Sequence, residues 1–98
     1  MPQRLIRYRV RPEKIEENQS LIEEVFRELN ATSPGHVRYL VLKLSDGTFC
    51  HLVEDETKTI AGLQAFAAFR RGAGDRQIDE PEQLAATIVG SYRMLVDQ

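Results

Sequence analysis

The 98-residue sequence predicts an α+β fold, a ferredoxin-like βαββαβ subunit. Three observations predict it: an alternating strand near the start, a hairpin centred on Asp46-Gly47, and an amphipathic helical stretch on either side of that hairpin. In RLIRYRV, Arg4, Ile6, Tyr8 and Val10 share one face, and Leu5, Arg7 and Arg9 share the other. Pro12 ends this strand and opens a helix, with Glu13, Glu16 and Glu17 in the early turns where the helix dipole favours acids. Ile15, Leu21, Ile22, Val25, Phe26 and Leu29 form its apolar stripe. ATSPG, residues 31–35, has the composition of a helix stop followed by a turn.

HVRYLVLKL and TFCHLVE flank Ser45-Asp46-Gly47-Thr48, and a two-residue Asp-Gly turn predicts a tight hairpin. In that register Leu44 pairs with Phe49, Leu42 with His51 and Leu40 with Val53. These six then share the face turned to the helices, while Tyr39, Val41, Lys43, Cys50, Leu52 and Glu54 share the opposite one. Cys50 and His51 therefore point to opposite sides of the sheet, which excludes a Cys-His nucleophile pair within one subunit.

IAGLQAFAAFRR predicts a second helix with Leu63, Phe66 and Phe69 on its apolar side, followed by a flexible loop, GAGDRQIDEPE. The last segment, QLAATIVGSYRML, supports two readings. Leu84, Ile88, Tyr92 and Leu95 have helical spacing, whereas Thr87-Ile88-Val89, then Gly90 and Tyr92, suit a strand with a bend. A terminal strand completes βαββαβ, with both crossover helices on one side of the sheet, and the topology decides for it.

At this length the chain reads as one domain, residues 1–98, burying about 65% of its extended surface. Hydrophobic residues make up 42% of the sequence, enough for a core. A single cysteine excludes an intrachain disulfide framework and suits a cytoplasmic protein. No stretch reads as a signal peptide or a membrane span. Thirteen Lys and Arg against fifteen Asp and Glu give a net charge of -2, which does not suggest a nucleic-acid partner. RNA-recognition domains share the topology, but KLSDGTFCHLVE lacks their aromatic run. The two histidines, His36 and His51, belong to no compact ligand cluster, so no metal is expected. GAGDR lacks the strand-turn-helix setting of a phosphate loop.

Polar residues on inward faces are the site candidates, because burial without a partner is costly. His51 lies among apolar neighbours on the helix-facing surface, as either a locally hydrogen-bonded histidine or a pocket ligand or base. Asn18 falls inside the first helix's apolar stripe. Tyr8 has the inward parity of its strand, and Arg70 lies near Leu63 and Phe66, where it could snorkel or meet an anionic ligand. These four are the candidate ligand-binding residues, and no catalytic residue is assigned. Tyr92 is expected to pack in the terminal strand. On the opposite face Tyr39, Val41, Cys50 and Leu52 exceed scattered surface apolarity, and a homodimer would bury them. In that arrangement Leu42→Asp damages folding and Leu52→Asp breaks the dimer.

The Tyr8-Arg9-Val10 strand with Pro12, EENQSLIEEVFREL (16–29), the VRYLVLKLSDGTFCHLVE hairpin, AFAAFRRGAGDR (65–76) and VGSYR (89–93) together resemble the dimeric α/β-barrel proteins. Within them the sequence is similar to small bacterial members of the antibiotic biosynthesis monooxygenase-like superfamily. The resemblance implies two sheets packed face to face around a dimer axis and a pocket between each sheet and its helices. It implies either a binding or accessory protein for a small molecule, without a cofactor, or a cofactor-independent monooxygenase acting on an aromatic or quinol-like substrate. The superfamily also includes haem-degrading enzymes. No residue-by-residue match to a catalytic set accompanies the resemblance.

Overall fold

A computed structural model describes residues 3–95. Strand β1 (Gln3–Arg9) leads through a 3-10 turn at Pro12–Lys14 into helix α1 (Ile15–Thr32), followed by β2 (Arg38–Lys43) and β3 (Thr48–Glu54). A second 3-10 turn at Ile60–Gly62 precedes α2 (Gln64–Arg70), a short α3 (Ala73–Arg76) and β4 (Glu82–Ala86). The strands form one antiparallel sheet in the order β2-β3-β1-β4. The expected βαββαβ topology is therefore present, with α3 added where a loop was expected.

The core lies between the sheet and the helices. Tyr8 and Val10, Phe49 and Val53, and Ile22, Val25 and Leu29 of α1 meet Leu63 and Phe69 there. Helix α1 buries Asn18, Ile22, Val25 and Leu29, spaced four, three and four residues apart, so a single stripe faces inward. It ends at Ser33, whose left-handed backbone (φ 49°) returns its N–H to the Leu29 carbonyl. Helix α2 has no side-chain cap of its own. Glu28 of α1 supplies one, accepting the Ala65 N–H at 2.8 Å and the Gln64 N–H at 3.3 Å. The carboxylate ties the start of α2 to the C-terminal part of α1.

The hairpin departs from the expected register. Leu44 donates its N–H to Thr48, Gly47 donates to the Leu44 carbonyl, and Gly47 has φ 89°. The loop therefore has three residues, Ser45-Asp46-Gly47, with Gly47 in the left-handed bulge position. A Cβ at Gly47 would lie 3.2 Å from Cδ1 of Ile15, so the close approach of α1 also requires glycine. The extra loop residue slips β2 by one. Tyr39 pairs with Val53, Val41 with His51, Leu40 with Leu52, and Leu42 with Cys50.

Side chains alternate, so the slip exchanges the two faces of β2. Tyr39 and Val41, expected at the dimer face, point to the helices and pack on the core. Leu40, Leu42 and Leu44 take their place on the open face. Cys50 and Leu52 remain there as expected, and His51 remains inside, because β3 kept its parity.

The terminal strand is shorter than expected. Gln3 pairs with Ala86, so beyond Ala86 no described residue of β1 remains to pair with it. Residues 87–95 are irregular, with Val89 99% and Tyr92 83% exposed. The packing expected of Tyr92 is absent.

Two substitutions test this register. Leu42 is 52% exposed, so Leu42→Asp should leave the isolated subunit folded, within about 1 kcal/mol of wild type. Phe49, buried and stacked on Tyr8, should lose about 3–5 kcal/mol on truncation to alanine. Urea unfolding below any self-association concentration measures both, and a severe loss in Leu42→Asp would restore the two-residue turn.

Candidate functional site

A continuous line of hydrogen bonds crosses the core from α3 to β2. Arg76 donates from Nε to Asn18 Oδ1 at 2.9 Å, and Asn18 donates from Nδ2 to the Tyr8 hydroxyl at 3.1 Å. Tyr8 meets His51 Nε2 at 2.8 Å, and His51 Nδ1 meets the Tyr39 hydroxyl at 2.7 Å. Local structure explains each position. Asn18 sits in the stripe of α1, Tyr8 and His51 have inward parity on adjacent strands, and the slipped β2 brings Tyr39 beside His51.

Arg76 is 1% exposed and no carboxylate bonds it among the described residues. Its guanidinium is met instead by backbone: Nη1 donates to the Arg71 carbonyl at 3.0 Å and Nη2 to the Phe69 carbonyl at 2.5 Å. Those carbonyls end α2, where the helix dipole is negative. The Phe69 ring lies under the guanidinium at 5.2 Å. Chain pairing carries Arg76 inward: Val10 bridges Gln77, and Arg11 donates its N–H to the Arg76 carbonyl.

The fixed fork of Arg76 sets the direction of the line. An Nε donor requires Asn18 to present its oxygen, which leaves the amide nitrogen to donate to Tyr8. Among the described residues, His51 Nε2 is the acceptor within reach of the buried Tyr8 hydroxyl, so Tyr8 donates to it. The histidine proton then resides on Nδ1 and is donated to the Tyr39 oxygen. Tyr39 is left with its own O–H to offer. Burial pushes the Tyr8 hydroxyl up to about 12 and raises that of Tyr39 further, so both stay protonated at neutral pH. Burial likewise lowers His51 to about 4, which keeps the imidazole neutral.

Tyr39, His51 and Tyr8 form the floor of a half-open cavity of about 550 Å³ between the sheet and the α2 side. Its walls are apolar, with Ile6, Val53, Ile60, Phe66 and Phe69. Phe26 stacks on the Tyr39 ring at 4.8 Å between centroids and holds it in place.

The structure thus brings His51, Asn18 and Tyr8 together, as hydrogen-bonded neighbours. Asn18 is fully buried and is not among the residues that line the cavity, so its place is behind Tyr8, which it positions. Arg70 is exposed and lines the cavity. Tyr39, expected on the opposite face of the sheet, lines the cavity and bonds His51. Arg76 gives no local signal, since GAGDR reads as a polar bend. A signal existed in Asn18, whose buried amide oxygen needs a donor that the apolar stripe of α1 cannot supply.

Both ring nitrogens of His51 are engaged by tyrosines, so a metal or haem iron could take one only by displacing a hydroxyl. Among the described residues no group of three or more His, Cys, Asp or Glu side chains is placed to hold a metal ion. No helix among them is long and apolar enough to cross a membrane.

Matched against solved structures, the chain superposes on a provisionally assigned antibiotic biosynthesis monooxygenase from Bacteroides thetaiotaomicron with a TM-score of 0.72, covering 95% of this chain and 94% of that one at 21% identity. The chain has the antibiotic biosynthesis monooxygenase fold. Another such protein, from Caulobacter crescentus, matches with a TM-score of 0.66 over 89% and 90% of the two chains at 20% identity. A NIPSNAP domain protein from Burkholderia xenovorans shares the fold more distantly, at a TM-score of 0.59 over 94% and 100% of the chains and 10% identity. No protein-family model and no curated protein matches the sequence. On this fold the pocket between sheet and helices is the one anticipated from the resemblance.

The buried neutral histidine makes stability pH-dependent. Its folded value is depressed from 6.5 to about 4, so the unfolded chain binds the proton more tightly. Its contribution is complete above about pH 6.5, declines as the pH falls toward 4, and is flat below. Across that window wild type should lose about 3 kcal/mol more than His51→Gln, read as the difference between their urea midpoints at each pH. Parallel curves for the two proteins would mean that His51 titrates normally.

Proposed function

We propose that this protein is a homodimer that binds a small molecule, holding an apolar, ring-sized body in the cavity with an oxygen of that body on Tyr39. The observation that supports this most is the match between a polar floor and apolar walls. At about 550 Å³ the cavity has the size of a small-molecule site, and its floor ends in a hydroxyl with a proton to donate. The donor is strengthened by the bonds behind it, which polarise one another in a low-dielectric interior.

The homodimer rests on the open face of the sheet. Leu40, Leu52, Leu5 and Leu84 lie in register across all four strands, one from each, with Leu42 and Cys50 beside them. Leu42, Leu44 and Leu84 are each more than 40% exposed, an apolar row that a second copy of the same face would cover. A single thiol on that face suits a reducing cytoplasm.

A second reading is a cofactor-independent oxygenase of a small aromatic or quinol-like substrate. Two observations favour it. The superposed proteins from Bacteroides thetaiotaomicron and Caulobacter crescentus are provisionally assigned as antibiotic biosynthesis monooxygenases, and the directed line of bonds ends at the cavity on Tyr39. There the hydroxyl would stabilise negative charge developing on a substrate oxygen.

Two measurements separate these readings. Calorimetric titration with 2-naphthol should show binding that Tyr39→Phe weakens about 5- to 10-fold, the worth of one hydrogen bond. Oxygen uptake with a naphthohydroquinone, above the uncatalysed rate and reduced about 100-fold or more by Tyr39→Phe, supports the enzyme; binding without uptake supports the binding protein. For the assembly, sedimentation should give a wild-type dimer and a folded Leu52→Asp monomer. Wild type that stays monomeric at high micromolar concentration, with Cys50 freely alkylated, would overturn the dimer.

A further inference from the structure

The rim of the cavity is cationic, while its body is apolar. Arg4, Lys58 and Arg70 line it, and among the described residues Asp55 is the one carboxylate that does so. Asp55 is turned into its own loop, where its two oxygens accept the N–H groups of Thr59 at 3.0 Å and Ile60 at 2.7 Å. Its charge is thereby partly compensated by backbone donors. Arg4 is bonded to the neutral amide of Gln83, which leaves its charge uncompensated. Lys58 and Arg70 make no side-chain hydrogen bond or ion pair to any described residue. Lys58 also has left-handed backbone, φ 58°, at the tip of the turn after β3, where glycine would be cheaper. Among the described residues that line the cavity, three cations thus stand against one carboxylate, which makes its rim locally positive although the chain is acidic as a whole.

We infer that the cavity selects ligands that carry a carboxylate on a ring-sized apolar body, the carboxylate held at the rim by Arg70 and Lys58. This rests on the small-molecule reading of the same site. The arrangement suits a ligand with two oxygen-bearing ends, one for the Tyr39 hydroxyl and the other for the cations that line the same cavity. A phosphate ester is less well served. The backbone N–H groups that would cradle it, those of Thr59 and Ile60, are already taken by Asp55. A planar guanidinium offers a carboxylate two parallel donors, and an ammonium lining the same cavity adds a second positive charge.

The test uses 6-hydroxy-2-naphthoate and 6-hydroxy-2-naphthamide, which share shape and differ in charge, titrated calorimetrically into wild type and into the Lys58→Gln/Arg70→Gln double variant. The carboxylate should bind wild type about tenfold more tightly than the amide, with the advantage shrinking as salt is raised. In the double variant that advantage should vanish while the amide binds as before, which shows that the variant is folded and its cavity intact. Equal affinities for the two probes in wild type, or an advantage kept in the double variant, would overturn the charge selection and leave the small-molecule reading standing. Binding of neither probe would overturn both.

Discussion

The buried guanidinium of Arg76 is the interaction on which the site depends. A cation without a carboxylate partner is expensive to remove from water, and here three acceptors and an aromatic face compensate it. Those acceptors come from different elements: Asn18 from α1, and the Phe69 and Arg71 carbonyls from the end of α2. The backbone of the same residue pairs with Arg11 after β1. One residue thus joins α1 and α2 through its side chain to the end of β1 through its backbone, and in doing so it decides which way Asn18 faces.

That decision propagates. Once the Asn18 oxygen is committed, each later partner has one way to satisfy its bonds, ending with a proton on the Tyr39 hydroxyl at the cavity. No single member is unusual chemically. A neutral histidine between two tyrosines and an asparagine against an arginine are ordinary ways to satisfy buried polar atoms. Their order, with the fixed donor at one end and the cavity at the other, turns a structural network into a directed donor. Glu28 does comparable work for the scaffold by capping α2 from α1, so the wall carrying Phe66 and Phe69 cannot drift from the floor.

The sheet has two apolar faces for different reasons. The inner face is apolar because helices cover it, and its polar members are all bonded. The outer face gathers one leucine from each strand with no helix above it. A small subunit that leaves such a row open gains most by covering it with another sheet, which is why the same architecture suits a paired assembly.

Strand parity let the sequence alone determine much of this: β3 must turn His51 inward and Cys50 outward, Asn18 must lie in the stripe of α1, and Tyr8 must point to the helices. These follow from periods of 2 and 3.6, which hold whatever the rest of the chain does. The tertiary structure alone decided the remainder. Gly47 can end a two-residue turn or occupy a bulge, and the choice moved Tyr39 from a supposed interface into the site. Arg76 lies in a segment with no period at all, so only the pairing of Gln77 with Val10 could carry it under the sheet. The extent of β4 was set by where β1 runs out as a partner, not by the β-branched run Thr87-Ile88-Val89. Local patterns state which side of an element is apolar; which elements meet, and in what register, depends on contacts between residues far apart in the chain.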